Sequence, residues 1–241
     1  MKITIPQGSA IIRPVAAQRP NTVVLVAGGR APALDWLQEI ARAYPVWAVD
    51  RGADVCRDAA VVPEIFIGDA DSSEASSRQW LEALKVPTLR YPADKDFTDL
   101  QLALQELSER RPGAAVLLTG GWGGRFDHAW SNVFSLLQAT DLGISIAGIV
   151  DQAEAMFLLS GGQQLTVDFE QSPKIISLIP LTTVCEQVVS DGVHWPLNRV
   201  NLSMHEPAAI SNRLAENSQR IRVGLQAGVL GVYCCWQDKG L

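Results

Sequence analysis

The sequence predicts an α/β fold, a mostly parallel sheet flanked by helices, followed by a smaller antiparallel β-sandwich or barrel. Three observations carry this expectation. From Thr22 to Val150, apolar runs of strand length alternate with longer segments whose apolar residues recur at helical spacing. Such alternation builds a parallel sheet joined by right-handed crossovers, a Rossmann-like arrangement. Beyond Asp151 the helical patterning stops, and short β-rich runs separated by Gly, Pro, Asn and Asp take over. Finally, acidic and glycine-rich clusters sit just after the strand-like runs, where open α/β sheets bind ligands.

Residues 1–20 hold two short β-like pieces, KITI and AIIR, and read as an N-terminal extension. TVVLVA from Thr22 is a continuous apolar strand of the kind buried on both faces, ending in Gly28 and Gly29. APALDWLQEIARAYP follows with Leu34, Leu37, Ile40 and Ala41 at helical spacing, closed by Pro45. The strand VWAV delivers Asp50, RGADVCRDAA starts a helix, and EIFIG is the next strand. EASSRQWLEALK, PTLRYP, FTDLQLALQELSER, AAVLLTG, GRFDHAWSNVFSLLQA and ISIAGIV continue the alternation of helix and strand. EAMFLLS, QLTVDF, KIISLIP, TTVCEQVV, RIRVGLQ and VLGVYCCW make up the β-rich remainder. The expected domains are therefore 21–149, α/β, and 150–241, β-rich, after the extension.

Length and composition agree with a soluble globular chain: 241 residues, 47% hydrophobic and 19% charged. A net charge of -6 without a basic run argues against a nucleic-acid partner. No apolar stretch is long enough to span a membrane, and prolines and polar residues interrupt the N-terminus where a signal peptide needs an apolar segment. A cytoplasmic protein with a small-molecule substrate is expected. Cys56, Cys185, Cys234 and Cys235 form no C-x-x-C pair and read as buried free thiols.

Four clusters could carry chemistry. Asp50 ends one predicted strand. Asp69 and Asp71 follow the strand EIFIG, and their spacing lets both carboxylates point the same way to hold a hard cation such as Mg²⁺ with substrate phosphates. Asp96 and Asp99 in DKDFTD share a helix face if the helix begins near Asp96, which would also make Asp96 an N-cap; Lys95 adds a phosphate-binding cation. GGWGGRFDH, from Gly120 to His128, offers backbone N–H groups at a helix N-terminus, with Arg125, Asp127 and His128 beside them. No G-x-x-x-x-G-K-[ST], G-x-G-x-x-G or G-x-S-x-G motif occurs. All four clusters follow predicted parallel strands, so they should converge on one rim as a phosphoryl-transfer site.

The ordered set D-R-G-A-D at Asp50, G-D-A-D-S at Gly68, K-D-F-T-D at Lys95 and G-G-R-F-D-H at Gly123 resembles the thiamine pyrophosphokinase family. In the β-rich tail GVHWPL, from Gly192, and ISN, from Ile210, resemble that family's thiamine-binding domain. The resemblance implies transfer of the β,γ-diphosphate of ATP to the thiamine hydroxyl, giving thiamine diphosphate and AMP, with Mg²⁺ as cofactor. It implies Asp69, Asp71 and Asp99 as metal ligands, and Asp71, Asp96, Asp99, Arg125 and Asp127 at the chemistry. Asp50, Lys95, Thr98, Arg125 and His128 would contact the nucleotide, and Trp195, Ser211 and Asn212 the thiamine. It also implies a homodimer with the active site near the subunit interface. Arg51 departs from the family's D-G-G or D-S-G. Rival readings are the same transfer to another heterocyclic alcohol, such as a hydroxymethylpterin, and a sensor that binds thiamine or nucleotide without catalysis.

Overall fold

The computed structural model describes residues 1–13, 21–68, 73–91, 96–206 and 208–237. Two strands open the chain, β1 (Lys2–Ile5) and β2 (Gly8–Arg13). The alternation follows as β3 (Thr22–Val26), α1 (Leu34–Ala41), β4 (Val46–Val49), α2 (Gly52–Asp58), β5 (Ile65–Ile67), α3 (Ala75–Ala83) and β6 (Thr88–Leu89). It ends with α4 (Asp99–Arg110), β7 (Ala115–Thr119), α5 (Phe126–Ala139) and β8 (Ser145–Val150). The β-rich part holds β9 (Glu154–Ser160), β10 (Gln164–Phe169), β11 (Ile175–Pro180), β12 (Val184–Asp191), β13 (Leu197–Ser203), β14 (Arg220–Gly224) and β15 (Val229–Cys235).

These elements form two compact units. Residues 20–151 are one; residues 1–19 and 152–241 together are the other. In the first, six parallel strands run in the order β8-β7-β3-β4-β5-β6. Every residue of β3 and β7 is buried, as expected for central strands covered on both faces. The helices turn one apolar stripe inward: α1 buries Trp36, Leu37 and Ile40, and α4 buries Leu100, Ala103, Leu104 and Leu107. At the sheet edge, β6 is only two residues long, although PTLRYP reads as a longer strand. Prolines at both ends of that run cannot donate to a ladder, which confines it to an edge.

The second unit is all β among its described residues, in two antiparallel sheets. One runs β11-β15-β9, the other β1-β2-β10-β14-β12-β13. The segment read as an extension thus supplies two strands, with Ile3, Ile5, Ala10 and Ile12 buried and β2 paired along β10 from Gly8↔Phe169 to Arg13↔Gln164. Strand β13 was not expected. It is an edge strand whose pairing with β12 shifts register twice, and four of its seven residues are exposed, so it carries no apolar alternation.

Leu117 in β7 is fully buried between Val24 of β3 and Gly148 of β8. Leu117→Ala is expected to lower unfolding free energy by about 2–5 kcal/mol, read as a shift of the urea midpoint without a change in slope.

Candidate active site

The strand order places a switch point beside β3. The chain winds outward from β3 through β4 and β5 to β6, then returns to lay β7 on the other side of β3. A crevice must open where the loops leave in opposite directions, at the carboxyl ends of β3 and β7. A cleft of about 580 Å³ lies there. Its walls come from Ala27–Gly29 after β3, Asp50 and Arg51 after β4, Thr98 and Asp99 at α4, the glycine-rich loop after β7, and one side of α5.

Backbone contacts fasten its floor. The N–H groups of Ala27, Gly29 and Arg30 donate to the carbonyls of Thr119 (2.8 Å), Gly120 (2.8 Å) and Trp122 (2.6 Å). Gly120 has φ +68°, and a Cβ there would lie 2.1 Å from the Ala27 carbonyl oxygen, so only glycine closes this seam. Gly124 also has a positive φ, but no atom lies within 4 Å of its would-be Cβ; that part of the loop is open. Directly after it α5 begins, with Arg125 at its N-cap position making no side-chain cap and Asp127 in the first turn accepting from the His128 N–H. The remaining N–H groups and the positive dipole end, beside an open glycine loop, can face an anion.

Asp50 holds a left-handed backbone, φ 51°, rare for a residue other than glycine. Its N–H donates to the Ile67 carbonyl at 2.9 Å and its own carbonyl accepts from Ala53 at 3.1 Å. A Cβ on Gly68 would lie 2.6 Å from the Asp50 Oδ1, so this carboxylate sits against the residue that precedes Asp69 in the chain. Backbone strain of this kind concentrates at functional sites. On the opposite wall Thr98 is the N-cap of α4: its Oγ accepts from Gln101 N–H (3.2 Å) while the Gln101 side chain accepts from Thr98 N–H (2.9 Å).

That capping box corrects one expectation. The helix begins at Asp99, not near Asp96, so Asp96 is neither its N-cap nor on a helix face with Asp99. T-x-x-Q satisfies two orphan N–H groups, and the acidic spacing concealed it. Of the residues expected at the site, Asp50, Thr98, Asp99, Arg125 and His128 line the cleft. Asp127 does not; it pairs with Arg125, whose Nε donates to Oδ1 at 3.1 Å and whose second nitrogen reaches Oδ2. That bond holds the Asp127 carboxyl below its ordinary range. Asp69, Asp71 and Lys95 lie outside the described residues. Ser131 and Asn132 also line the cleft and were not anticipated. The sequence held one signal for them: with His128 they make a polar stripe at helical spacing on α5.

The β-rich unit has a site of its own, an apolar cavity of about 250 Å³ lined by Ile176, Leu178, Val193, Trp195, Leu197 and Asn212 among others. Asn212 braces Trp195 from both sides of its peptide. Its Oδ1 accepts from Trp195 N–H (3.2 Å) and its Nδ2 donates to the Trp195 carbonyl (2.9 Å). The indole remains 58% exposed, with the edge of His194 at 4.5 Å between centroids and the Arg213 guanidinium 5.9 Å from its ring centre. Ser211, in a left-handed conformation (φ 60°), flanks the cavity and donates its N–H to Ser177 Oγ at 3.0 Å.

No group of three or more His, Cys, Asp or Glu among the described residues could hold a metal ion. The four cysteines are free and buried, and burial pushes the Cys56 thiol up to about 12. Among the described residues no helix is long and apolar enough to cross a membrane.

Two family models match the chain: "Thiamin pyrophosphokinase, catalytic domain" over residues 37–147, and "Thiamin pyrophosphokinase, vitamin B1 binding domain" over residues 163–230. Together they span about three quarters of the sequence. A thiamine pyrophosphokinase from Bacillus subtilis is 28% identical over 195 residues, 80% of this chain and 90% of the relative. The crystal structure of thiamine pyrophosphokinase from Bacillus subtilis superposes with a TM-score of 0.76 at 25% identity, covering 90% of this chain and all of that one. That from Geobacillus thermodenitrificans gives 0.74 at 26%, covering 91% of this chain and 100% of that one. The yeast enzyme, 13% identical, shares the fold with a TM-score of 0.70, covering 91% of this chain and 88% of that one.

One ion pair steadies the rim of the cleft. Arg30 follows the β3 glycines, and its Nε donates at 2.8 Å to Asp151, whose side chain is 0% exposed just past β8. Arg30→Met removes the cation and leaves the buried carboxylate without it. The expected cost is about 3–5 kcal/mol of stability, measured by denaturant unfolding, with Asp151→Asn in the same chain restoring a large part of it.

Proposed function

The chain belongs to the thiamine pyrophosphokinase family, and from that premise we propose that it transfers the β,γ-diphosphate of ATP to the hydroxyethyl oxygen of thiamine, giving thiamine diphosphate and AMP. One observation carries the reading. The cleft beside β3 and β7 lies in the unit matched by the catalytic-domain model, and the Trp195 cavity lies in the unit matched by the vitamin B1 binding model.

In this reading the α5 N-terminus, the open loop at Gly124, Arg125 and Lys95 hold the triphosphate, supplying positive potential without reorganisation at the moment of reaction. Thr98 and His128 contact the nucleotide from opposite walls. Asp99, a hard oxygen donor lining the cleft, would hold Mg²⁺ with Asp69 and Asp71, and Asp50 would contact the nucleotide. Bound there, Mg²⁺ would neutralise phosphate charge. The thiamine hydroxyl attacks the β-phosphorus in line, its proton passing to Asp71 or Asp99. The new O–P bond forms as the bridge to the α-phosphate breaks, and AMP departs with that electron pair. Asp96 and Asp127 act at the edge of this chemistry, Asp127 by setting the position of Arg125. Trp195 offers an aromatic face to the thiamine rings, Asn212 keeps that face in place, and Ser211 stands beside it.

The proposal includes a homodimer with the active site near the subunit interface. Phe126, Trp130 and Phe134 support an assembly: all three are exposed in one row on α5, with neighbouring ring centroids 5.9 and 5.1 Å apart. A cytoplasmic location completes it, supported by the four free thiols.

Phosphorus NMR of the protein with ATP, Mg²⁺ and thiamine should show AMP and thiamine diphosphate rising in equal amounts; ADP instead would sink the reading. Trp195→Ala should raise the thiamine KM by about tenfold and leave that for ATP unchanged, since it removes one stacking surface. Asp71→Asn should cost far more in kcat than in thiamine affinity, and near-normal turnover would remove Asp71 from the chemistry.

A further inference from the structure

Among the described residues of the cleft, Asn132 is a polar side chain held by the protein at one end and open at the other. Asn132, on α5, lines the cleft and donates its Nδ2–H to the Gly121 carbonyl at 2.9 Å. A carbonyl oxygen can only accept, so the amide must turn its nitrogen toward Gly121 and its oxygen away. Among the described residues no group donates to that Oδ1, and it is not a buried orphan. The outcome is an acceptor presented by a half-buried side chain with its rotamer held.

Its distance from the anion site gives this acceptor a role. Asn132 lies six residues beyond Phe126, about 9 Å along the axis from the start of α5. If the nucleoside of a triphosphate held there runs along α5, its sugar and base reach one to two helical turns further on. His128 and Ser131 line the same stretch. Val49 and Leu100, both buried, also line the cleft, next to Asp50, Thr98 and Asp99.

We propose that Asn132 is a specificity-determining residue of the nucleotide site, its Oδ1 accepting a hydrogen bond from the nucleoside part of the triphosphate. The donor is either the exocyclic amino group of the base or a ribose hydroxyl. This rests on the reading of the cleft as a nucleotide site, given above. A fixed acceptor selects by what it rejects: a ligand without the donor leaves Oδ1 unpaired, and one with an acceptor in that place faces it oxygen to oxygen.

The test is equilibrium binding, by calorimetry with Mg²⁺ present and no thiamine, of ATP, inosine triphosphate, 2′-deoxy-ATP and 3′-deoxy-ATP. The wild-type chain should bind one analogue about 5- to 100-fold more weakly than ATP. Inosine triphosphate as the weak one identifies the amino group; a deoxy analogue identifies the hydroxyl. Asn132→Ala should flatten that ratio to within about twofold, whatever it does to affinity as a whole. Asn132→Asp keeps an acceptor but cannot donate to Gly121, so it should weaken all four ligands and retain the ratio. Asn132→Leu carries the comparison if the alanine variant does not fold. Equal wild-type affinity for all four, or a ratio that survives Asn132→Ala, overturns the proposal and leaves the nucleotide site standing. Absence of ATP binding in the wild-type chain overturns both.

Discussion

The cleft depends on a seam of backbone on backbone. The loops leaving β3 and β7 are joined by N–H groups of Ala27, Gly29 and Arg30 donating to carbonyls of Thr119, Gly120 and Trp122. They approach so closely that a Cβ on Gly29 would lie 2.4 Å from two carbonyl oxygens, and one on Gly120 would lie 2.1 Å from a third. Because the seam uses the backbone groups at the switch point, what remains for a ligand is the outer half of the loop and the first turn of α5. Arg30 joins the loop through its N–H to the Trp122 carbonyl and reaches Asp151 with its side chain, while Asn132 holds the loop through the Gly121 carbonyl. The glycines here therefore do two jobs. The inner ones allow the loops to touch, and Gly124, with no atom within 4 Å of its would-be Cβ, leaves the outer part of the loop open.

A similar economy governs the β-rich unit. Trp195 is exposed, and Asn212 fixes its backbone through both its N–H and its carbonyl. Ser211, just before Asn212, holds a left-handed conformation. At the other edge of the same sheet as β13 lie the N-terminal strands, whose buried Ile3, Ile5 and Ile12 occupy the inward positions of the alternation. A segment that looks dispensable in sequence is thus part of the scaffold that carries the aromatic site.

Most secondary structure was legible because burial imposes a period. The fully buried runs TVVLV and AVLLT could only be central strands in such a context, and the stripe through Trp36, Leu37 and Ile40 only a helix face. The failures share one cause. At β13 and at the short β6 the chain lies on a sheet edge, where little is buried and no period is imposed. At Asp96 the acidic spacing mimicked a cap, while the true one, Thr98 with Gln101, used a weaker-looking pair of residues. Ser131 and Asn132 escaped because polar residues on a helix read as its solvent side until the fold turns that side toward a cleft.

Fold class, the change from α/β to all-β patterning near residue 150, and the family to which the ordered motifs point could all be read from the residues in order. Those properties are local: each follows from spacing along a few turns or a few strand positions. It took the folded chain to bring Asp50, Thr98, Asp99, Arg125 and His128 to one cleft while Asp127 stands aside paired to Arg125. Only it showed that Arg30 meets Asp151 across 121 positions of chain. Such choices rest on how closely two distant backbones can approach and on which buried charge finds a partner. Neither leaves a period in the sequence, because the residues that settle them are brought together by the fold alone.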